Sequence, residues 1–218
     1  MQLIGMLDSP YVRRVAISLK RLEIPFEHRS LSVFRQFDEF QQINPLVRAP
    51  TLVCDDGTVL ADSTLILSYV ERLAHECLAH ERLAQQQLTD RHSLMPTALA
   101  DSQRALYLIG LGLNACDKTV QAYYERTLRP AEKFHQPWFD RVQGQLHRTY
   151  QLLEAEMADR TPWLVTDQMM QPDITVAVAW RFTQYYLADA VTAEDYPGLV
   201  AFSAEVEKTP EFVSTPLP

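Results

Sequence analysis

Asn44-Pro45-Leu46-Val47-Arg48-Ala49-Pro50-Thr51-Leu52-Val53-Cys54-Asp55-Asp56-Gly57-Thr58-Val59-Leu60-Ala61-Asp62-Ser63 holds two prolines, two strands, a tight turn and a helix start in one short run. Proline removes a ladder donor, so Pro50 does not suit the middle of an inner strand. It reads as the entry to a strand over 51–54, where a cis Ala49–Pro50 bond would expose neighbouring backbone groups. Asp55-Asp56-Gly57-Thr58, between that strand and a second at 59–60, is a hairpin signal. Asp62-Ser63 then supplies a carboxylate, a hydroxyl and the first N–H groups of a helix. That set suits a charged, peptide-like ligand and equally an ordinary helix cap.

Upstream, residues 2–5 form a short apolar run that reads as a buried strand. Ser9-Pro10 follows, a cap residue with proline at the first helical position. Val12, Val15, Ala16, Leu19 and Leu22 mark one helical face. Glu23-Ile24-Pro25 ends that helix, and 26–32 read as the next strand. The order β-α-β predicts a parallel pair joined by a crossover. Downstream of Ser63, Leu65, Ile66, Tyr69, Val70 and Leu73 predict a helix with one apolar face. With a connector between the halves, the pattern β-α-β then β-β-α predicts a thioredoxin-like sheet of about four strands.

Beyond 75 the chain changes character. Residues 75–95, with Gln85-Gln86-Gln87, read as a linker or a frayed helix end. From about Thr97 prolines 96, 130, 137, 162, 172 and 197 separate helical patterns over 97–128, 138–158, 173–188 and 198–208. The expected plan is an α/β domain at 1–77 and an all-helical one at 90–218.

Composition bounds the function. The 218 residues are 47% hydrophobic and 22% charged, as in an ordinary globular protein. A net charge of −8 and a pI near 5.2 argue against nucleic acid as a partner, because phosphate contacts need a basic surface. Cys54, Cys77 and Cys116 form no CxxC and no zinc spacing, which fits a reducing compartment. No basic-then-apolar leader opens the chain and no run approaches a membrane span, so the expectation is a cytoplasmic protein without a membrane partner.

Assembled in this order, the chain resembles a cytosolic glutathione transferase over nearly all its length, of the bacterial type with serine at the active-site position. The resemblance is carried by Ser9-Pro10-Tyr11-Val12-Arg13, by Asn44-Pro45 with Ala49-Pro50, and by Asp62-Ser63. In the helical half, Pro162-Trp163-Leu164 and Pro172-Asp173-Ile174-Thr175 look like that family's buried folding motif. Two positions depart from the pattern. Met170 stands where a capping Ser or Thr is usual, so the reciprocal cap to Asp173 is expected to be missing. Asp62 stands where many relatives have Glu or Gln, which shortens its reach by one methylene.

The resemblance implies a thioredoxin-like N-terminal domain plus an all-α C-terminal domain, a homodimer, and glutathione as co-substrate with no metal. Glutathione must become a thiolate to act as a nucleophile, and a thiol of pKa about 8.5 is only a few per cent ionised at neutral pH. Lowering that value by about 2 units takes roughly 2.7 kcal/mol of preference for the anion. A hydroxyl at a helix N-terminus supplies both a charge-assisted hydrogen bond and the positive dipole end. Ser9 is the implied catalytic residue; the other reading of Ser9 is a plain helix cap. Serine in place of cysteine argues against a mixed-disulfide mechanism, and Tyr11 is the rival donor.

For binding, Ala49 would offer its backbone to the cysteinyl unit. Arg48 would take the glycine carboxylate, or stay a solvated loop residue. Asp62 and Ser63 would hold the γ-glutamyl end. Leu7, Phe34, Leu108, Leu111, Tyr123 and Tyr124 are candidates for an apolar pocket for the electrophilic small-molecule partner, although aromatics at helical spacing usually belong to a core. Arg13-Arg14 and Arg126 with Arg129 could attract an anion or be solvated helix faces. Gly110-Leu111-Gly112 lacks the strand-turn-helix setting of a phosphate loop. The implied activity is transfer of glutathione to an electrophile. The alternatives are a non-catalytic glutathione- or protein-binding member of the fold, and a glutathione-dependent isomerase or dehalogenase.

Overall fold

The computed structural model describes residues 1–84 and 93–217. Contacts divide the chain into two units, Met1–Leu94 with Pro210–Pro218, and Met95–Thr209. Residues 210–218, placed by sequence with the helical half, thus belong to the first unit.

In that unit β1 (Gln2–Ile4), α1 (Pro10–Arg21) and β2 (Glu27–Arg29) form the expected parallel βαβ, followed by α2 (Phe37–Ile43), β3 (Thr51–Val53), β4 (Val59–Ala61) and α3 (Ser63–Ala84). The four strands run in the order β2-β1-β3-β4, with β3 antiparallel to both its neighbours. The hairpin closes as its turn residues predict: Gly57 takes φ +85°, and the Thr58 N–H donates to Asp56 Oδ1 at 2.9 Å.

Val12, Val15, Ala16, Leu19 and Leu22 are all buried, so the face of α1 is as predicted. On α3 the expected stripe splits. Ile66 and Val70 are fully buried, whereas Leu65 is 66% and Tyr69 37% exposed. The connector contains α2, a helix of seven residues with a single buried position, Phe40, which packs on Ile4 and Leu31. One apolar anchor in two turns gives no periodicity to read.

The second unit contains α4 (Leu99–Thr127), α5 (Gln136–Glu156), α6 (Gln171–Leu187) and α7 (Pro197–Val206), matching the four helices expected. Helix α6 is buried on nearly every side, from Ile174 through Trp180 to Phe182, as the central helix of a bundle is. Gly112 has a packing reason rather than a phosphate-binding one: a Cβ there would meet Thr175 Cγ2 at 2.9 Å, so glycine lets α4 approach α6. Residues 75–95, expected to be a linker or a frayed helix end, continue α3 as far as Ala84; the stretch 85–92 lies outside the described residues. The short helix α8 (Pro210–Val213) closes the chain and was absent from the sequence reading.

The N-terminus of α6 has capping-box geometry after all. The Met170 N–H donates to Asp173 Oδ2 at 2.8 Å, and the Met170 thioether faces the Asp173 amide. Sulfur accepts only weakly, so the carboxylate carries the cap. Its other oxygen accepts the Leu164 N–H at 2.8 Å, which ties the 162–164 loop to the helix. Burial pushes the Asp173 carboxyl up to about 6 against the opposing pull of these amides.

Candidate functional site

Register collects the candidate residues. Ile4 pairs with Thr51, and Thr51 pairs with Ala61, so one row crosses β1, β3 and β4. The segment leaving β1 toward Ser9, the segment entering β3 through Arg48-Ala49-Pro50, and the turn leaving β4 at Asp62-Ser63 therefore all emerge at the same edge of the sheet.

Ser9 is the N-cap residue of α1, with φ −71° and ψ 122°, and Pro10 occupies the first helical position. The Ser9 carbonyl accepts the Arg13 N–H at 2.9 Å and so starts the helix. The side chain makes no capping hydrogen bond, so the hydroxyl is not consumed by the helix it opens. Gly5 connects this turn to the next segment. At φ +137° it takes a conformation that L residues avoid, and a Cβ there would stand 2.6 Å from Val12 Cγ2 and 3.1 Å from Ala49 Cβ. The Gly5 carbonyl is also bonded to the half-buried His28 ring at 2.8 Å. His28 is a positioning contact that sequence alone did not single out.

The Ala49–Pro50 bond is cis. Its approach is stapled by buried polar groups: Asn44 Nδ2 donates to Thr51 Oγ1 at 2.8 Å, and that hydroxyl donates to the Arg48 carbonyl at 2.7 Å. Asn44 and Thr51 are both buried, so the loop carrying Ala49 is fixed from beneath.

Asp62 adopts φ +75° and caps α3, its Oδ1 accepting the Thr64 N–H at 2.9 Å and the Leu65 N–H at 3.4 Å. Its Oδ2 accepts from Arg48 Nη2 at 3.0 Å. The sequence reading sent Arg48 and Asp62 to opposite ends of a ligand, but the structure brings them together. The cause is the hairpin register, which sets the residue just before Ala49 beside the residue just after Ala61. Ser63 is 4% exposed, and its Oγ accepts from Arg14 Nη1 at 3.1 Å.

The arginines read as solvated faces divide. Arg13 and Arg14 are buried, at 1% and 2% exposure. Arg126 pairs with Asp189 at 2.7 Å, and Arg129 with Glu125 at 2.7 Å. Of the residues proposed for an apolar pocket, Leu108 is fully buried and the Tyr123 ring packs against Tyr186 at a 58° tilt with centroids 4.5 Å apart, whereas Phe34 is 61% exposed. Among the described residues no group of three or more His, Cys, Asp or Glu is placed to hold a metal ion, and no helix is long and apolar enough to cross a membrane.

Comparison with known proteins bears on the family and the fold. Residues 3–77 match the glutathione S-transferase N-terminal domain family, and 136–205 match the glutathione S-transferase C-terminal domain family. An uncharacterized GST-like protein of Escherichia coli K12, YibF, is 26% identical over 218 residues, covering 100% of this chain and 99% of its own. A glutathione transferase family member from Pseudomonas fluorescens Pf-5, solved with bound glutathione, is 27% identical with a TM-score of 0.80, covering 100% of this chain and 98% of its own. A glutathione S-transferase from Methylobacterium radiotolerans, solved with glutathione sulfonate, shares the fold at a TM-score of 0.83 and 23% identity, covering 100% of this chain and 94% of its own.

Proposed function

Because the chain belongs to the glutathione S-transferase family, we propose that it binds glutathione at the shared edge of β1, β3 and β4 and activates the thiol with the Ser9 hydroxyl. The observation that carries this reading is the Ser9 side chain, which stands at the start of α1 without capping it. The hydroxyl would donate to the glutathione sulfur and, with the helix dipole, hold it as a thiolate. The thiol proton leaves to solvent. The sulfur lone pair then forms a bond to an electrophilic carbon, and the leaving group departs with its bonding electrons.

The binding set is Arg48, Ala49, Asp62 and Ser63. Ala49 offers its backbone to the cysteinyl unit. Asp62 and Ser63 take the zwitterionic γ-glutamyl head. Since Arg48 is paired with Asp62, we assign it to that same end in place of the glycine carboxylate. The Pseudomonas fluorescens relative with bound glutathione supports the choice of ligand. We also propose a homodimer, because Leu65 and Tyr69 leave an apolar strip on α3 exposed at i, i+4 spacing. Sedimentation equilibrium checks it, and a monomer at micromolar concentration refutes it.

Conjugation of glutathione to an activated aryl halide tests the chemistry. Ser9→Ala is expected to lower kcat/KM by about 100-fold, the usual cost of one donor to a developing or resident anion. Its glutathione affinity, measured by calorimetry, should stay within about threefold, since other groups hold the peptide. If activity survives the substitution, the donor lies elsewhere, with Tyr11 the first alternative. If the wild-type chain binds glutathione yet transfers it to no electrophile, it is a binding member of the family.

A further inference from the structure

Arg14 lies on α1, one turn beyond Ser9, and is 2% exposed. A guanidinium has five donors and no acceptor, and it stays charged at any physiological pH. Arg14 Nη1 donates to Ser63 Oγ at 3.1 Å and also reaches Thr64 Oγ1 at 3.4 Å. Both hydroxyls belong to the first turn of α3, where Asp62 already holds the Thr64 and Leu65 amides. A buried cation is thus bonded to the residue that the proposed site uses for the γ-glutamyl head.

The bond fixes what Ser63 can do. A hydroxyl has one proton, and when its oxygen accepts from a cation that proton points away and is polarised toward another acceptor. Ser63 therefore presents a donor, with positive charge behind it and the N-terminal dipole end of α3 beside it. Asp62 presents the opposite character, a carboxylate. Adjacent residues at this turn thus offer one donor and one acceptor, which fits a head group carrying a carboxylate and an ammonium on the same carbon.

We propose that Arg14 is a positioning residue that makes this end of the site demand a carboxylate, acting through Ser63; the inference rests on the glutathione reading above. A purely structural arginine would support binding of any ligand equally. Arg14 acting as proposed supports only ligands that carry the γ-glutamyl α-carboxylate.

The test compares glutathione with its analogue lacking that carboxylate, 4-aminobutyryl-cysteinyl-glycine, by isothermal titration calorimetry. The wild-type chain is expected to prefer glutathione. In Arg14→Gln, which keeps a donor but no charge, the preference should fall about tenfold or more, while affinity for the analogue stays within about twofold. Arg14→Lys, which keeps the charge, should retain most of the preference. A folded Arg14→Gln that keeps the preference, or that loses both ligands equally, overturns the proposal, and so does an Arg14→Lys that loses it as fully as Arg14→Gln. If Arg14→Gln does not fold, Ser63→Ala decides. Because Arg14 acts through that hydroxyl, loss of the preference with affinity for the analogue kept within about twofold supports the proposal, and a preference that survives the substitution overturns it. A wild-type chain that binds neither ligand overturns the glutathione reading, and this inference with it.

Discussion

Gly5 shows how strongly single residues constrain the site. Its missing Cβ is what allows Val12 and Ala49 to close on the turn before Ser9. Gly5→Ala combines a disfavoured φ with a contact far inside van der Waals range. We expect a loss of about 2–4 kcal/mol in urea unfolding, the sum of backbone strain and overpacking. Activity should fall beyond what stability explains, because both displaced neighbours flank the candidate site. Asp62 gives the complementary case. Asp62→Asn keeps an oxygen for the Thr64 amide but weakens the bond to Arg48, an exposed pair, so stability should change by no more than about 1 kcal/mol. Glutathione affinity should drop about tenfold if the carboxylate holds the ligand ammonium, and calorimetry on the variant reads this directly.

At the scale of elements, Asp173 joins the 162–164 loop to α6 with one carboxylate oxygen for each side. Burial raises its pKa to about 6, above the unfolded carboxylate value. The folded state therefore binds the extra proton between those values. The contribution to stability is fully present below about pH 4 and declines by about 3 kcal/mol as pH rises through 6. Asp173→Asn cannot titrate, so the stability of wild type minus that of the variant should decrease across pH 4 to 7.5, as read from urea midpoints. A difference that stays flat with pH rejects the assignment.

The same elements show what was legible in the chain. Hairpin, βαβ and long helices could be read because their turn residues and periodicity are local. So could the positions of Ser9, Ala49, Asp62 and Ser63, each beside a strand end or helix start. Other features were hidden. Helix α2 has one buried residue and no stripe. The Arg48–Asp62 pair depends on the Thr51–Ala61 register, a relation between strands rather than along one. Arg14 was hidden for a third reason: an arginine on a helix reads as solvated until its partner helix is placed.

For the whole molecule, the segment after Thr209 is the part with most consequence for its size. Helix α8 has only four residues, yet Phe212 is 1% exposed and Arg13 lies over its ring at 5.2 Å. Arg13 Nε also donates to the Thr215 carbonyl at 2.8 Å, Lys20 Nζ to the Ser214 carbonyl at 2.7 Å, and Arg21 pairs with Glu211 at 3.1 Å. The first unit is thus completed by the end of the chain, which bears on the same helix whose start presents Ser9. Emptying this contact should weaken α1 first. Phe212→Ala removes a buried ring and is expected to cost about 3–5 kcal/mol. Hydrogen exchange should show the loss as faster exchange along α1 while α4 and α6 keep their protection. If exchange rises equally in α4 and α6, the two units unfold as one and the end of the chain supports the whole fold. If protection of α1 is unchanged, the Arg13, Lys20 and Arg21 contacts hold the segment without the ring.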